Sequence, residues 1–260
     1  MRLIDSHAHV QAEAFEPDRS EVINATRDAG VERMLVPGWD LPSSRAALIV
    51  AVEFGLDAGV GIHPHVARES DRDFPAIADL ARDPLVVAVG ETGLDYDRGF
   101  SPRDDQLRNL RRHLLLAREL NKPAILHCRS KPGERDAQDD LLRELDNAGR
   151  PPALLHSFSG PVDYAERALE FGLAISFSGL SFRKGEEVTA TVARLTPADR
   201  LLVETDCPYL SPPGAPRRRN EPRYVEITAR WLAKQRGEDA DQLGEQLIAN
   251  YGRLFSRPPS

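Results

Sequence analysis

The 260 residues carry 34 Lys and Arg against 41 Asp and Glu, a formal net charge of −7, which excludes a protein that coats duplex DNA through a broad basic surface. Hydrophobic residues make up 41% and charged residues 29%, the composition of an ordinary globular protein, and no apolar run approaches a membrane span of about 18 residues. Cys128 and Cys207 are the two cysteines, too few for a disulfide framework, and residues 1–30 lack the apolar core of a secretion signal. A reduced, cytoplasmic protein is therefore expected, with one domain over 1–260. The basic residues are almost all arginine; the lysines are Lys122, Lys131, Lys184 and Lys234, a skew that genome composition can produce.

Taken in chain order, eight short apolar runs alternate with helical patterns: 2–5, 31–37, 56–64, 85–91, 123–128, 152–158, 173–179 and 200–206. They are rich in Val, Leu and Ile and mostly lack strict alternation, as strands covered on both faces do. The clearest helix is 103–120, where Leu107, Leu110, Leu114 and Ala117 recur at helical spacing. Ser101-Pro102 before it reads as a capping hydroxyl followed by proline in the first turn. Pro84 and Pro123 mark helix-to-strand transitions. Strand–helix alternation implies parallel strands, and eight units in a chain near the roughly 250 residues of a (β/α)8 barrel predict that α/β fold. A doubly wound open sheet is the alternative. Residues 208–222 are the one long irregular stretch, followed by a helical pattern at 223–236, and a loop of that length in a compact fold is usually functional.

Six of the seven histidines fall at the ends of predicted strands: His7, His9, His63, His65, His127 and His156. Glu91 and Asp206 also close strands. In a parallel barrel all carboxyl ends open on one face, so these residues would converge there. Residues two apart in a strand share a face, which would align Asp5 with His7 and His9, and His63 with His65. Cys128 and Cys207 would point away from their neighbours His127 and Asp206 and serve as packing residues. Imidazoles and carboxylates are the ligand set of Zn, Mn, Fe or Mg sites, and six such groups exceed one ion's needs. Two divalent ions are expected, able to clamp the attacking and leaving oxygens of a displacement. His113, inside the helix, is expected to be a helix-face residue without a partner. There is no phosphate-binding GxxxxGK[ST], no GxGxxG after a strand and no GxSxG elbow.

DSHAH (5–9), GIHPH (61–65), GETGLDY (90–96), QLRNLRRHLLLARELNKPAILHCR (106–129), LLHSFSG (154–160), LLVETDCPYLSP (201–212), RRNEP (218–222) and NYGRLF (250–255) occur in order. With them the chain resembles the TatD-like metal-dependent deoxyribonucleases over almost its whole length. The resemblance implies a barrel of the amidohydrolase type with a site for two divalent ions of the Mg, Mn or Zn class, or for one or three. It implies His7 and His9 on a first metal, Glu91 bridging two metals, His127 and His156 on the second, and Asp206 as a ligand that also takes a proton from water. Glu204 would hold a further metal or orient the site, and Asp5 would orient a histidine. His63 and His65 match a pair that meets the substrate phosphate or supports the leaving group. Arg129 either binds phosphate or faces solvent. Arg217, Arg218 and Arg219, with Asn220, form a loop suited to phosphate contact or a solvated charge run. Cys128 departs from the family's usual Thr or Ser, and SGLSFRKGEE (178–187) from its usual form, which bears on substrate preference. The implied activity is cleavage of DNA phosphodiester bonds at strand ends in the 3′-5′ direction. The alternative is hydrolysis of a small amide, lactone or phosphoester on the same site, and a non-catalytic binding role ranks below both. No protein partner is inferable from the sequence, and no membrane association is expected.

Overall fold

The eight apolar runs become eight parallel strands in the computed structural model, which describes residues 1–256. They are β1 (Leu3–Asp5), β2 (Val31–Pro37), β3 (Asp57–Val60), β4 (Val86–Asp95), β5 (Ala124–Arg129), β6 (Ala153–Leu155), β7 (Ala174–Phe177) and β8 (Leu201–Val203). Neighbours in the sheet follow chain order from β1 to β8. All ten residues of β4 are buried, which explains why alternation is missing from the sequence. Several strands are shorter than the apolar runs, because the carboxyl ends break from the ladder into site loops.

β8 returns to β1 through a seam of individual hydrogen bonds. Ser6 N–H donates to Val203 O at 3.0 Å, Asp206 N–H to His7 O at 2.9 Å and His9 N–H to Cys207 O at 2.9 Å. The buried Asp5 carboxylate accepts from Thr205 N–H at 3.0 Å and from Thr205 Oγ1 at 2.5 Å. β1 ends at Asp5, as the apolar run does, and His7 and His9 sit on a hydrogen-bonded loop instead of a continued strand.

Helices α1 (Arg19–Asp28), α2 (Leu41–Phe54), α3 (Ser70–Leu80), α4 (Arg103–Leu120), α5 (Asp136–Asn147), α6 (Val162–Glu170), α7 (Thr189–Leu195), α8 (Val225–Arg236) and α9 (Ala240–Leu254) fall between and after the strands. α4 has the predicted bounds and buries Leu107, Leu110, Leu114 and Ala117. Its start differs in chemistry from the expectation: Pro102 is the cap residue and makes no side-chain cap bond, while Ser101 Oγ donates to His65 O at 2.9 Å. His113 also differs. It is fully buried, its Nδ1 donates to Asn109 O at 2.8 Å, and its Nε2 accepts from Ile62 N–H at 3.1 Å. Asn109 Nδ2 donates to Ile62 O at 2.6 Å, so α4 grips the backbone immediately before His63.

Two glycines let the strands approach beneath the site. Gly93 on β4 sits opposite His127 at φ +138°, and a Cβ there would lie 1.9 Å from His127 O. At Gly61 a Cβ would meet the backbone of Gly90 and Glu91 at 2.6 and 2.7 Å. Only glycine permits either approach.

Candidate metal centre

Three loops and two strands deliver the site. His7 and His9 follow β1, Glu91 lies in β4, His127 in β5, His156 follows β6, and Glu204 and Asp206 follow β8. Glu91 is buried and its two carboxylate oxygens face different histidines. Oε2 is 3.3 Å from His7 Nε2 and 3.8 Å from His9 Nε2. Oε1 is 2.9 Å from His156 Nε2 and 3.4 Å from His127 Nδ1. Asp206 Oδ1 closes the first group at 3.4 Å from His9 Nε2 and 3.7 Å from His7 Nε2.

For His9, His127 and His156 the outer nitrogen fixes what the inner one presents, whereas His7 Nδ1 has no hydrogen-bond partner among the described residues. His9 Nδ1 donates to Pro37 O at 3.0 Å, an oxygen that can only accept. His127 Nε2 donates to Asp95 Oδ2 at 3.2 Å, and His156 Nδ1 to Glu204 Oε1 at 3.1 Å. The inner nitrogens of those three rings are then lone-pair groups facing carboxylate oxygens and a neighbouring ring: His9 Nε2 lies 3.1 Å from His7 Nε2, and His127 Nδ1 lies 3.4 Å from His156 Nε2. Acceptors converging at these distances require a cation among them, a proton on imidazole or a metal ion. The acidities carry the same signature. Burial alone would lower His156, His127 and His9, yet their carboxylate partners outweigh it and raise all three. Burial works to raise Glu91, and the surrounding histidines hold it well below the usual carboxylate range. His7 goes down, chiefly from burial and then from His156. The donor set therefore fits divalent ions in two adjoining groups that share Glu91, one with His7, His9 and Asp206, the other with His127 and His156. The triads at ligand spacing are His7–His9–Glu91, His7–His156–Asp206 and His63–Glu91–His127, so His156 also reaches the first group and His63 the second.

His63 approaches the second group, with Nε2 at 3.2 Å from Glu91 Oε1, but its tautomer is the opposite one. Its Nδ1 accepts from His65 N–H at 3.1 Å, so the proton sits on Nε2 and points at Glu91. Burial pushes its pKa down to about 4, so the ring is neutral and acts as a donor. Proximity alone would group it with the ligands; the hydrogen bond at Nδ1 argues against that.

Glu204 and Asp206, equivalent by sequence parity, diverge in space. Glu204 is fully buried and orients His156, with Oε2 making no hydrogen bond among the described residues. Asp206 borders a cavity of about 950 Å³ that opens over the site. Asp5 meets the main-chain N–H of His7 at 3.2 Å and not its ring, so its anchoring acts on the backbone. His65 and Arg129 line the cavity; Arg129 Nε is paired with Asp97 at 2.8 Å. The 217–219 arginines do not line it. Arg217 and Arg218 are exposed, and Arg219 is held by Asp18 at 2.7 Å. Asn220 is buried, donating to Thr205 O at 2.9 Å and accepting from Glu221 N–H at 3.0 Å, so it braces the loop that carries Asp206. Cys207 is fully buried, and half-buried Cys128 has its thiol pushed up to about 12 by burial, which rules out a ready thiolate nucleophile.

Asp95 escaped the sequence reading. One oxygen, Oδ2, accepts from both His65 Nε2 at 2.8 Å and His127 Nε2 at 3.2 Å, while Oδ1 accepts from Arg98 N–H at 2.8 Å. Its position in GETGLDY, four residues after Glu91 on one strand, was the available signal. Arg98, Lys131 and Lys184, which line the cavity, were also missed.

A model of the family described as TatD related DNase matches residues 4–256. The chain belongs to this family. Similar proteins include the metal-dependent hydrolase YabD of Bacillus subtilis, 34% identical over 257 residues, covering 97% of this chain and 98% of that one. The 3'-5' ssDNA/RNA exonuclease TatD of Erwinia amylovora is 36% identical over 264 residues, covering 97% and 99%. Among solved structures, the TatD homologue YjjV of Escherichia coli superposes with a TM-score of 0.87 at 29% identity over 99% of both chains. As a TatD-family member this chain is a metal-dependent hydrolase on a (β/α)8 barrel. An organophosphorus hydrolase of Deinococcus radiodurans, at TM-score 0.67 and 16% identity, shares the fold alone. Among the described residues no helix is long and apolar enough to cross a membrane.

Proposed function

We propose that this TatD-family hydrolase cleaves phosphodiester bonds at the 3′ ends of DNA strands, using divalent ions bound in the two groups around Glu91. The observation that supports it most is the division of the Glu91 carboxylate between two histidine sets whose inner nitrogens are turned toward it. Relatives named as 3'-5' ssDNA/RNA exonucleases, matched end to end, direct this site toward nucleic acid. The likeness to organophosphorus hydrolases carries the fold only, so small-molecule hydrolysis ranks second.

When bound, divalent ions in such a site activate water and neutralise charge on the phosphate. The chain's own groups supply the rest. Asp206 borders the cavity, and its pKa is lowered because His9 and His7 outweigh the raising effect of burial, so it stands ionised to accept a proton from water. His63 holds its Nε2–H toward Glu91 at the edge of the metal groups, and would turn that donor to the phosphate or the departing oxygen only by giving up Glu91. Glu204 holds His156, and Asp95 holds His127, each in the tautomer that presents a lone pair inward. Arg98, Arg129, Lys131 and Lys184 stand in the cavity lining among the acids Asp97, Glu134 and Glu186, and offer individual cationic contacts for a phosphate.

The test uses 5′-labelled single-stranded DNA with Mg²⁺, Mn²⁺ or Zn²⁺ and an Asp206→Ala variant beside the natural protein. A ladder that shortens from the 3′ end and disappears in the variant is expected, a loss of at least 100-fold on the order of general-base contributions. No cleavage with any of the three ions would overturn the nuclease.

A further inference from the structure

Two large aromatic rings stand in water at the rim of the catalytic cavity. Tyr209 is 60% exposed and Phe100 is 53% exposed, and both line the cavity. Each ring leans on a different side of the histidine cluster. Tyr209 lies 6.4 Å from the His9 ring at 70°, and Phe100 lies 4.8 Å from the His65 ring at 84°. Exposed apolar residues scattered singly are ordinary, as at Ile49, Val52 and Leu115, but these two rings both border one cavity, where apolar surface marks ligand-binding grooves.

Their backbones are pinned. Tyr209 N–H donates to Asp206 O at 2.9 Å, and Asn220 N–H holds Pro208 O at 3.0 Å. The Phe100 carbonyl accepts from Arg68, and Ser101 next to it bonds to both His65 O at 2.9 Å and Arg68 N–H at 3.2 Å. Rings with two side-chain torsions on a fixed backbone lose little entropy when something stacks on them. Between the rings run His65, His63, Glu91 and His9 in successive contact, so the candidate metal groups lie between them.

We propose that Tyr209 and Phe100 are base-stacking platforms, one on each side of the scissile phosphate, and that they make this site select unpaired strand ends. The proposal rests on the nuclease reading above and adds the residues that choose the substrate. A π face accepts any base, so stacking gives affinity without sequence preference. In a duplex each base is already stacked and paired, so engaging two platforms requires the terminal bases to splay apart. The charge of the cavity alone would not distinguish the two forms, since both carry the same phosphates.

The test is a double-mutant cycle between ring and base. The natural protein, Tyr209→Ala and Phe100→Ala are assayed on a single-stranded 12-mer, and on the same strand with its two 3′-terminal bases replaced by abasic tetrahydrofuran. We expect each alanine to raise KM for the intact strand by about 5- to 150-fold, the range of one lost base stack, with kcat changing little. Losing the ring and losing the bases should be non-additive, because both remove the same contact. Tyr209→Phe and Phe100→Tyr, which keep a ring, should restore the natural KM. The preference for an unpaired over a blunt duplex end should narrow in the alanine variants. Unchanged KM, additive losses, or an end preference that survives both substitutions would overturn the proposal. Cleavage of the abasic strand by the natural protein separates these outcomes from failure of the nuclease reading, which predicts no cleavage of any strand.

Discussion

A single carboxylate oxygen of Asp95 accepts from two histidines 30 and 32 residues away, one beside the metal centre and one at the cavity. Asparagine there keeps the size but loses the charge and replaces one acceptor oxygen by an amide that donates, opposing either both imidazole N–H groups or the Arg98 N–H. Asp95→Asn is expected to weaken metal binding by about 10- to 100-fold, the usual cost of losing a partner behind a histidine ligand. Competition against a chromogenic chelator measures it, and unchanged affinity would show that His127 holds its orientation unaided. The six metal-ligand candidates stood out in the sequence because histidine and strand-end acids are rare enough to count. Asp95 did not, since an acid in an acidic protein carries no mark until its partners are seen. Arg218 and Asn220 illustrate the converse. Their motif placed them on the catalytic loop, but only packing decides that Arg218 turns outward and Asn220 inward.

At the scale of elements, burial made the strands and α4 readable, while the extent of the strands was not. Parity was meant to align His7 with His9, yet β1 ends at Asp5 and the two rings meet through a loop held by the β8 seam. Hydrophobic pattern records which residues are covered, and it does not record where a ladder gives way to loop hydrogen bonds. His113 shows how an element supports the site from behind. Burial lowers its pKa to about 4, against about 6.5 when unfolded. Above pH 6.5 the ring is neutral in both states and its stabilisation is complete. Between 6.5 and 4 the unfolded chain binds the extra proton, so stability falls as pH falls, by about 3 kcal/mol in all. Urea midpoints at pH 7.5 and 4.5, compared with His113→Gln in chelator, should show a steeper acid loss for the natural protein. Equal slopes would mean that His113 titrates normally in the fold.

Across the whole molecule, the metal groups lie over the join where the last strand returns to the first. His7 and His9 come from one side of that seam and Asp206 from the other, and the main-chain bonds between them are few: Asp206 N–H to His7 O and His9 N–H to Cys207 O. An ion held by these side chains would bind the two ends of the barrel together, and the unfolded chain cannot assemble that set from residues some 200 positions apart. Binding to the native state alone stabilises it by about 2.7 kcal/mol at 100 times Kd. For a domain of this size each kcal/mol is worth about 2–4 °C, so removing bound metal should lower Tm by about 5–11 °C. Calorimetry with and without EDTA reads the shift, and Asp206→Ala should show a smaller one because the seam loses its ligand on the β8 side. A Tm that ignores both chelator and variant would separate the metal groups from the closure of the barrel and leave the ions a purely chemical role.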